Sequence, residues 1–359
     1  MNFNQIKKLM ERKKASHKGE NGSALIIGGS EEYAGAVALA GLASLRAGCD
    51  SVTIAAPEKV AWSINCYTPD LITHKIPGSN FNIKNAKEMI KYSDIFDAVC
   101  IGNGITRKAD KFCQYFIKKY EKLKVVDADA LKSMSFKDFQ NSIITPHYAE
   151  LEIMLTNSGK EFLLPKLKEA NIKEKAEILQ GNLRYFLHNN NVLLLKGPTD
   201  IIISRNRIAY NKTGNQGMTK AGTGDVLAGL AIGFLSKTKE LFKSAVAAAY
   251  INGLVSDQLL KQKQGYVFIA SDILEDLKKI QKAVDKEKKD KKNKAKRGVK
   301  KVTEPITKKK KLVTKKKVIK NKATKKKVIK KKTVKRKVAK KKTVKRKETK
   351  KKVAKKRKK

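Results

Sequence analysis

The sequence of 359 residues lacks any apolar run long enough to cross a membrane. Its longest purely apolar stretches, such as "VLAGLAIGFL" (226–235), fall far short of the roughly 20 residues that a membrane helix needs. The N-terminal stretch "MNFNQIKKLMERKK" has no apolar core of the secretory kind. Cysteine is scarce and shows no paired spacing of the metal-binding type. It occurs at four positions: Cys49, Cys66, Cys100 and Cys113. We therefore expect a cytoplasmic protein with free thiols, no membrane span and no protein-held metal.

The two common glycine motifs of nucleotide binding are also missing. Residues 102–107 read "GNGITR", without the third glycine of the dinucleotide fingerprint G-x-G-x-x-G. No phosphate loop of the form G-x-x-x-x-G-K-[ST] occurs. If the protein binds a nucleotide, it must use a different phosphate-binding motif.

Acidic, aromatic and large apolar residues are nearly absent from the C-terminal part of the chain. Residues 286–359 contain 42 Lys and Arg, 4 Asp and Glu, and no aromatic residue. This part carries +38 of the formal net charge of +49, which leaves +11 for the first 285 residues. Such a composition cannot offset the entropy of ordering the chain. We predict an α/β domain over residues 1–283 and a disordered lysine-rich tail over residues 284–359.

The tail repeats short basic segments at a spacing of ten residues, with "TKKKVIK" at 314–320 and again at 324–330. Without aromatic side chains it cannot stack on bases, so sequence-specific reading is not expected. Lysines that neutralise phosphates release counterions and bind with a steep salt dependence. Non-specific nucleic-acid binding, with association to a nucleoid, is the favoured interpretation. Acidic membrane surfaces, other polyanions, and a solubilising extension without a partner remain alternatives.

In the first 285 residues, short apolar strands alternate with helical stretches. Strand patterns lie at 23–29, 50–57, 97–104, 123–131, 141–147 and 191–204. The Ala- and Leu-rich stretch 33–48 predicts a helix that ends at Gly48. Residues from about 225 to 283 are nearly all helical in pattern, and "GYVFIA" (265–270) is the one stretch there with strand character. This alternation predicts a mostly parallel sheet with helices on both faces.

Several polar or glycine residues follow these strands directly. They are Gly29, Gly102, Gly104, Asp127, Asp129, Pro146, His147, Lys196 and Gly197. In a parallel sheet the carboxyl ends of the strands meet at one edge, where ligands commonly bind. Alone, a loop glycine most often marks only a turn, and Asp127 or Asp129 is as consistent with a helix cap as with catalysis. Together they predict a site at this edge.

The stretch "GNQGMTKAGTGD" (214–225) is the strongest local signal for an anion site. Gly222 and Gly224 free the backbone to present N–H groups, and the helix that begins near Asp225 adds its positive end. Asp225 is then either a helix cap or a base beside a bound phosphate, and the local sequence favours neither.

Six segments decide the question by their resemblance to a known family. They are residues 17–58, "DAVCIGNGI" (97–105), "VVDADAL" (125–131), "ITPHYAELEIML" (144–155), "LLKGPTDII" (194–202) and "GNQGMTKAGTGDVLAG" (214–229). In order and spacing they resemble the NAD(P)H-hydrate dehydratases of the ribokinase-like superfamily, over roughly residues 5–280. The resemblance implies a three-layer sandwich with a mostly parallel central sheet.

The resemblance also implies a repair reaction. NAD(P)H that has gained water on its nicotinamide ring, in the S epimer, is dehydrated back to NAD(P)H at the expense of ADP or ATP, with Mg²⁺. The nucleotide first phosphorylates the ring hydroxyl, and phosphate then departs. The family commonly carries a fused epimerase domain ahead of the dehydratase pattern, which here begins almost at Met1. We therefore expect a separate epimerase, and the protein is expected to form a homo-oligomer.

Residues are carried over only where the motifs match. Asp225 would be the catalytic base and would also contact the substrate. The substrate would further contact Ala36, Gly104, His147 and Glu150. The nucleotide would contact Lys196, Gly197, Pro198, Thr199, Asp200, Asn215, Gln216, Gly217, Met218, Thr219, Gly222, Thr223 and Gly224. For Glu150, a link to Mg²⁺ and capping of the following helix are equally consistent readings. For His147, a loop histidine satisfied by backbone is the alternative.

The sequence departs from the family pattern at a few positions. Asn103 replaces a common proline, while Ala149 and Ala221 replace common glycines; Lys220 adds a charge beside the phosphate loop. The methyl group of Ala221 is the change most able to tilt that loop. A small-molecule kinase of the same superfamily, and a nucleic-acid-associated protein acting through its basic tail, remain alternative functions.

Overall fold

A computed structural model describes residues 6, 9, 10, 12, 15–262 and 265–279. Within them one nine-stranded sheet forms, in the order β3-β2-β1-β4-β5-β6-β7-β8-β9. Its strands are β1 (Ser23–Ile27), β2 (Ser51–Pro57), β3 (Ile72–Ile76), β4 (Ala98–Ile101), β5 (Lys124–Val126), β6 (Ser142–Ile144), β7 (Val192–Leu195), β8 (Asp200–Ser204) and β9 (Arg207–Asn211). Strands β1 to β7 are parallel, and β8 and β9 are antiparallel additions at one edge. The tail predicted for residues 284–359 lies outside the described residues.

Helices cover both faces of this sheet. They are α1 (Ala34–Ala47), α2 (Glu58–Tyr67), α3 (Ile83–Ser93), α4 (Asp110–Lys119), α5 (Asp129–Lys132), α6 (Tyr148–Asn157), α7 (Leu164–Glu169), α8 (Ile172–Asn182), α9 (Arg184–His188), α10 (Thr223–Thr238), α11 (Leu241–Gln262) and α12 (Ala270–Leu277). In the described part of the chain, no helix combines the length and the apolar character needed to cross a bilayer.

Strand β1 shows why the sheet is buried on both sides. Ala24 and Ile26 point into one apolar cluster, together with residues of α1, α10 and α11. Leu25 and Ile27 point into a second cluster, with residues of α4 and α6. Successive side chains of a strand face opposite sides, so a near-continuous apolar run fits only a strand with helices on both faces. The predicted three-layer α/β architecture is confirmed.

The prediction was wrong at three places near the sheet edges. Residues 191–204 form two antiparallel strands, because the turn at Gly197 and Pro198 reverses the chain between β7 and β8. The stretch 265–270 is not a strand; Gly265–Ile269 is a loop that leads into α12. Strands β3 and β9 carry too many polar residues to match the apolar pattern that identified the others.

Helix α10 packs unusually close to α1, and this contact fixes where α10 begins. A Cβ atom on Gly229 would lie 2.2 Å from the carbonyl oxygen of Ala40, and one on Gly233 would lie 2.6 Å from Cβ of Ala47. The hydroxyl of Ser44 donates to the carbonyl of Gly229 at 2.8 Å. Since neither helix can slide without steric overlap, the N-terminus of α10 is held at the carboxyl edge of the sheet.

Lys124 is a buried cation at the start of β5. Its side chain is 0% exposed, and its Nζ donates to the carbonyl of Gln140 at 2.7 Å. Burial disfavours the charged form and lowers the pKa of Lys124 to about 7, against a weaker opposing effect of Glu121. The unfolded chain would hold this proton up to a pKa near 10.5.

Stability should therefore rise with pH wherever unfolding takes up the proton of Lys124. Between about pH 7 and pH 10, the Lys124 contribution to the unfolding free energy should increase by up to about 1.4 kcal/mol per pH unit. Lys124→Met should remove this slope in urea denaturation measured across the range. Lys122→Met is the control, because Lys122 is half exposed and pairs with Asp94 on the surface. Equal pH slopes in the wild type and Lys124→Met would contradict the assignment.

Candidate functional site

The loops that follow β1, β4, β5, β6 and β7 meet at one edge of the sheet. The chain leaves β1 and β4 toward opposite faces of the sheet, to α1 and α4 respectively. Such a divergence of neighbouring strands commonly forms a ligand-binding crevice. Gly102 has φ 124° and approaches the next loop closely: a Cβ there would lie 1.9 Å from the carbonyl oxygen of Asp127. The predicted polar residues are therefore brought together at this edge.

Gly104 packs against the start of α1. It has φ 67°, and a Cβ on it would lie 2.6 Å from the carbonyl oxygen of Tyr33 and 3.0 Å from Cβ of Ala36. Ala36 and Gly104, both expected at the substrate, are thus direct neighbours in the crevice. Their role in binding stays a prediction.

Asp225 lies in the first turn of α10, but it is not the N-cap. That position belongs to Gly222, with φ 91°. The Asp225 carboxylate instead accepts a hydrogen bond at Oδ1 from Nδ2 of Asn103, at 2.7 Å across 122 residues of sequence. Burial and the negative charge of Asp127 raise the pKa of Asp225 to about 7, while Asn103 and Lys196 act in the opposite direction. Such a carboxylate is a suitable proton acceptor near neutral pH.

Asp127, at the end of β5, connects the loops around it. Its Oδ1 accepts from the hydroxyl of Thr145 at 2.7 Å and from Nζ of Lys196 at 3.0 Å. Its Oδ2 accepts from Nδ2 of Asn103 at 3.1 Å. The residue is 2% exposed, so its charge is balanced by these donors rather than by bulk water.

Lys196 places a positive charge beside the N-terminus of α10. Its Nζ lies 3.0 Å from Asp127 Oδ1 and 3.7 Å from Glu150 Oε2. A Cβ on Gly224 would lie 3.7 Å from the same ammonium group. Burial opposes the charge, but Asp127 and Glu150 outweigh it and raise the pKa of Lys196. The ammonium group and the helix N-terminus together favour an anion at this place.

His147 and Glu150 cap helix α6. The backbone N–H of Glu150 donates to Nδ1 of His147 at 3.2 Å, and the backbone N–H of His147 donates to Oε2 of Glu150 at 2.9 Å. The Glu150 side chain is buried, whereas that of His147 is half exposed. The capping alternative for Glu150 and the backbone-satisfied alternative for His147 are both seen. Contacts of either residue with a substrate stay predictions.

The glycine-rich loop is anchored by an acidic residue of α11 that the sequence motifs did not single out. Asp257, in α11, accepts from the backbone N–H of Gly214 and from Nδ2 of Asn215, both at 3.0 Å. A Cβ on Gly217 would lie 2.5 Å from the ring of Phe268, so only glycine allows this contact. Asp257 carries no local signal of this role, because it lies more than 40 residues after Gly214 inside an ordinary helix.

Lys220 does not add a free charge to the loop. Its Nζ donates to the carbonyl of Phe268 at 2.7 Å and also to the carbonyl of Tyr266. The hydroxyl of Tyr266 in turn donates to Oε1 of Gln216 at 3.0 Å. Residues 265–269, for which the sequence predicted strand character, thus form a loop that is hydrogen-bonded to Lys220 and Gln216 of the glycine-rich loop. We call residues 265–269 the strap.

Ala221 is tolerated because the strained position is its neighbour. Gly222 has φ 91°, whereas Ala221 is not among the residues with positive φ. Alanine therefore fits here without the strain of a left-handed backbone conformation.

The segment 196–200 forms the turn between β7 and β8. Asp200 shapes it, since its Oδ1 accepts from the N–H of Gly197 at 3.0 Å and its Oδ2 from Nδ2 of Asn211 at 2.9 Å. Gly197 and Pro198 are exposed at the site edge. Asp200 thus supports this segment from within, and the nucleotide contacts expected of the segment stay predictions.

The chain between Asp127 and α5 passes through a strained residue. Ala128 has φ 54° and ψ −134°, a conformation that glycine adopts readily and alanine does not. This turn sends the backbone away from the site directly after Asp127, whose carboxylate faces Lys196 and Asn103.

Comparison with known protein families supports one assignment. Residues 24–281 match the family model described as NAD(P)H-hydrate dehydratase. A bifunctional NAD(P)H-hydrate repair enzyme of Methanocaldococcus jannaschii is 37% identical over 283 residues, which cover 77% of this chain and 52% of that protein. An ADP-dependent (S)-NAD(P)H-hydrate dehydratase of Cenarchaeum symbiosum is 32% identical over 281 residues, or 77% of this chain and 93% of that protein. The chain thus spans about half the length of the bifunctional relatives.

Two solved structures share the fold. An ADP/ATP-dependent NAD(P)H-hydrate dehydratase of Bacillus subtilis, co-crystallised with ATP and Mg²⁺, has a TM-score of 0.65 and 24% identity, covering 79% of this chain and 97% of that one. A ribokinase-like superfamily protein of Enterococcus faecalis has a TM-score of 0.65 and 20% identity, covering 79% and 95%. At these identities the likeness establishes the ribokinase-like fold alone.

Replacing the strained alanine should stabilise the protein. Ala128→Gly should raise the unfolding free energy by about 1 kcal/mol, because relief of backbone strain exceeds the entropic cost of glycine. Ala149→Gly is the control: Ala149 is exposed in the first turn of α6, and its replacement should cost up to about 1 kcal/mol. Urea denaturation measures both. A loss of stability in Ala128→Gly equal to that of the control would show that Ala128 stores no strain.

Proposed function

The chain belongs to the NAD(P)H-hydrate dehydratase family, and from that premise we propose that it converts the S epimer of hydrated NADH or NADPH back to the intact dinucleotide. The reaction would consume ADP or ATP. One observation carries the proposal: the partly buried carboxylate of Asp225 lies in the first turn of α10, where it accepts a hydrogen bond from Asn103 at 2.7 Å, and a Cβ on the adjacent Gly224 would lie 3.7 Å from the ammonium group of Lys196. Burial and the charge of Asp127 raise the pKa of this carboxylate to about 7.

The chemistry requires a proton acceptor and a phosphate site side by side. Hydroxide is a poor leaving group, so the ring hydroxyl is first converted into a phosphate ester. Asp225 takes the hydroxyl proton as the oxygen attacks the terminal phosphorus, and AMP or ADP departs. The ring nitrogen then expels phosphate, and loss of a proton from the adjacent ring carbon restores the double bond. Base assistance of this kind commonly accelerates a reaction about 10²- to 10⁴-fold.

The nucleotide phosphates would bind along residues 215–224. Backbone N–H groups at the start of α10 and the ammonium of Lys196 would stabilise the charge on the transferring group. The strap held by Lys220 and the anchor at Asp257 support this role, because they fix the loop before any ligand binds. The turn 196–200 would contact the nucleotide from the other side.

The hydrated dinucleotide would occupy the crevice between the loops after β1 and β4. Ala36 and Gly104 line it as neighbours, and the half-exposed ring of His147 lies at the end of β6 on the same sheet edge. Glu150 would not contact the substrate directly. It would contribute through its ion pair with Lys196 and its hydrogen bond at the N-terminus of α6.

Magnesium would enter with the nucleotide. Among the described residues, no group of three or more His, Cys, Asp or Glu is arranged to hold a metal ion. Both oxygens of Asp127 are already occupied by Asn103, Thr145 and Lys196. Mg²⁺ commonly keeps several waters and binds through phosphate oxygens, which fits this site, and it would supply positive charge to the phosphoryl group.

We further propose that the lysine-rich tail binds nucleic acid through its charge and holds a cytoplasmic enzyme near a nucleoid. Its 42 basic residues and lack of aromatics support a backbone-only mode of binding. Self-association is proposed as well. The exposed side chain of Tyr67 lines an apolar surface cavity of about 400 Å³ between α1 and α2, which supports a contact between copies.

The purified protein should restore NADH from its hydrate in the presence of ADP or ATP, tested separately and followed by the return of NADH absorbance. Asp225→Asn should lower turnover about 10²- to 10⁴-fold, because the isosteric amide cannot accept the hydroxyl proton. Its thermal unfolding and nucleotide binding should stay near the wild type. Asp129→Asn is the matched control, since Asp129 pairs with Lys132 outside the network.

Absence of NADH recovery with either nucleotide, together with phosphorylation of a small alcohol, would identify the protein as a kinase instead. A fully active Asp225→Asn would refute the assignment of the base.

Deletion of residues 284–359 should leave turnover unchanged and abolish salt-sensitive binding to generic duplex DNA. In the full chain, affinity should fall steeply between 50 and 200 mM salt, by about 10³-fold or more, because many counterions are released. Fluorescence anisotropy measures this binding. An inactive truncated protein would contradict the division into two parts, and undiminished DNA binding after truncation would contradict the role of the tail.

A further inference from the structure

We propose that Asn103 is a positioning residue for the proposed base: its side-chain amide bridges the carboxylates of Asp225 and Asp127 and orients Asp225 toward the reacting hydroxyl. The inference rests on the proposed function and names a further residue of the same site. Among the sequence motifs, Asn103 appeared only as a departure from the family pattern.

Both polar atoms of the Asn103 side-chain amide have hydrogen-bond partners. One N–H donates to Asp225 Oδ1 at 2.7 Å and the other to Asp127 Oδ2 at 3.1 Å. The carbonyl Oδ1 accepts from the thiol of Cys100 at 3.2 Å. Asn103 is 0% exposed, so no water competes for these contacts. With Oδ1 of Asp225 engaged in this way, Oδ2 is the oxygen left to accept a proton from the substrate.

Cys100 and the two carboxylates determine which way the amide faces. Burial, with a smaller effect from Asp127 and Asp225, raises the pKa of the Cys100 thiol well above its ordinary value, so it stays protonated and can donate. A flipped amide would turn its oxygen toward two carboxylates and its N–H groups toward a weak acceptor. The thiol and the two carboxylates therefore select a single orientation.

The backbone of Asn103 is fixed as firmly as its side chain. Its carbonyl accepts from the N–H of Gly29 at 2.8 Å, which joins the loops after β1 and β4. The flanking Gly102 and Gly104 both have positive φ and make close contacts that no larger residue could make. The amide therefore contacts Asp225 from a part of the backbone that these close contacts hold in place.

The hydrogen bond from Asn103 also affects how readily Asp225 takes up a proton. Charged groups face it from three elements: Asp127 after β5, Lys196 after β7, and Glu150 of α6 behind Lys196. Burial and Asp127 favour protonation of Asp225, whereas the hydrogen bond from Asn103 and the charge of Lys196 favour the carboxylate. Removal of the Asn103 amide should therefore raise the pKa of Asp225 and shrink the fraction of active base at neutral pH.

The test replaces Asn103 by leucine, which has a similar size and cannot form hydrogen bonds. In the dehydration assay, the acid limb of the kcat–pH profile should move up by about one pH unit, and kcat below pH 7 should fall about tenfold. The KM for the nucleotide should stay within about twofold, because the phosphate loop is untouched. An unchanged pH profile in a folded Asn103→Leu protein would overturn the proposal.

Two further variants keep the test decisive. Cys100→Ala should shift the profile in the same direction by a smaller amount, whereas Cys100→Ser, which retains a donor, should match the wild type. If the leucine variant does not fold, Asn103→Asp replaces it; a third carboxylate should raise the pKa of Asp225 even further. A profile in Asn103→Asp equal to that of the wild type would likewise overturn the bridge.

Titration of the Asp225 carboxyl by ¹³C NMR in the ligand-free protein separates this proposal from the reaction itself. The pKa of Asp225 should be higher in Asn103→Leu than in the wild type, whether or not the wild type dehydrates the hydrate. Equal values refute the bridge even in an active enzyme. A wild type without dehydratase activity but with the expected NMR difference refutes the proposed function alone.

Discussion

The carboxylate of Asp127 connects the functional edge of the sheet. It accepts hydrogen bonds from Asn103 after β4, Thr145 after β6 and Lys196 after β7. Parallel strands bring these loops near one another but do not fix their distances. A buried negative charge requires donors, and three loops satisfy this requirement at once. The loops after β4, β5, β6 and β7 take their relative positions from this shared contact, whereas the start of α10 is held by its packing against α1.

The positive charge of Lys196 and the carboxylate of Asp225 lie at different ends of the site. Lys196 lies between Asp127 and Glu150 and stays positive, whereas Asp225 faces mainly an amide and another carboxylate. One end of the site therefore favours an anion, and the other contains a carboxylate that can gain a proton. Phosphoryl transfer to a hydroxyl needs these two conditions side by side. The close packing of α10 against α1 provides the geometry, because Gly229 and Gly233 leave the helix no room to move.

The sequence was sufficient for the fold, but not for the contacts at the predicted site. Strand patterns and strand-end residues predicted a parallel sheet and its functional edge, since both follow from local periodicity. The sequence pattern did not predict the turn at Gly197 and Pro198, because β7 before it and β8 after it form one nearly continuous apolar stretch of sequence. The Asn103–Asp225 bond and the Lys220 strap join residues 122 and 48 positions apart, and no local pattern encodes such pairs. The effect of Ala221 on the loop could not be predicted, because its backbone angles cannot be read from its identity.

The burial of Cys100 has a consequence for chemical durability. Oxidants attack thiolates that they can reach, and Cys100 is both protonated and 0% exposed. Cys66 is the exposed cysteine, so oxidants in solution reach it more readily than they reach Cys100. The orientation of the Asn103 amide thus depends on a sulfur atom that peroxide does not readily modify. The site proposed to restore reduced dinucleotides thus keeps Cys100 out of the reach of oxidants in solution.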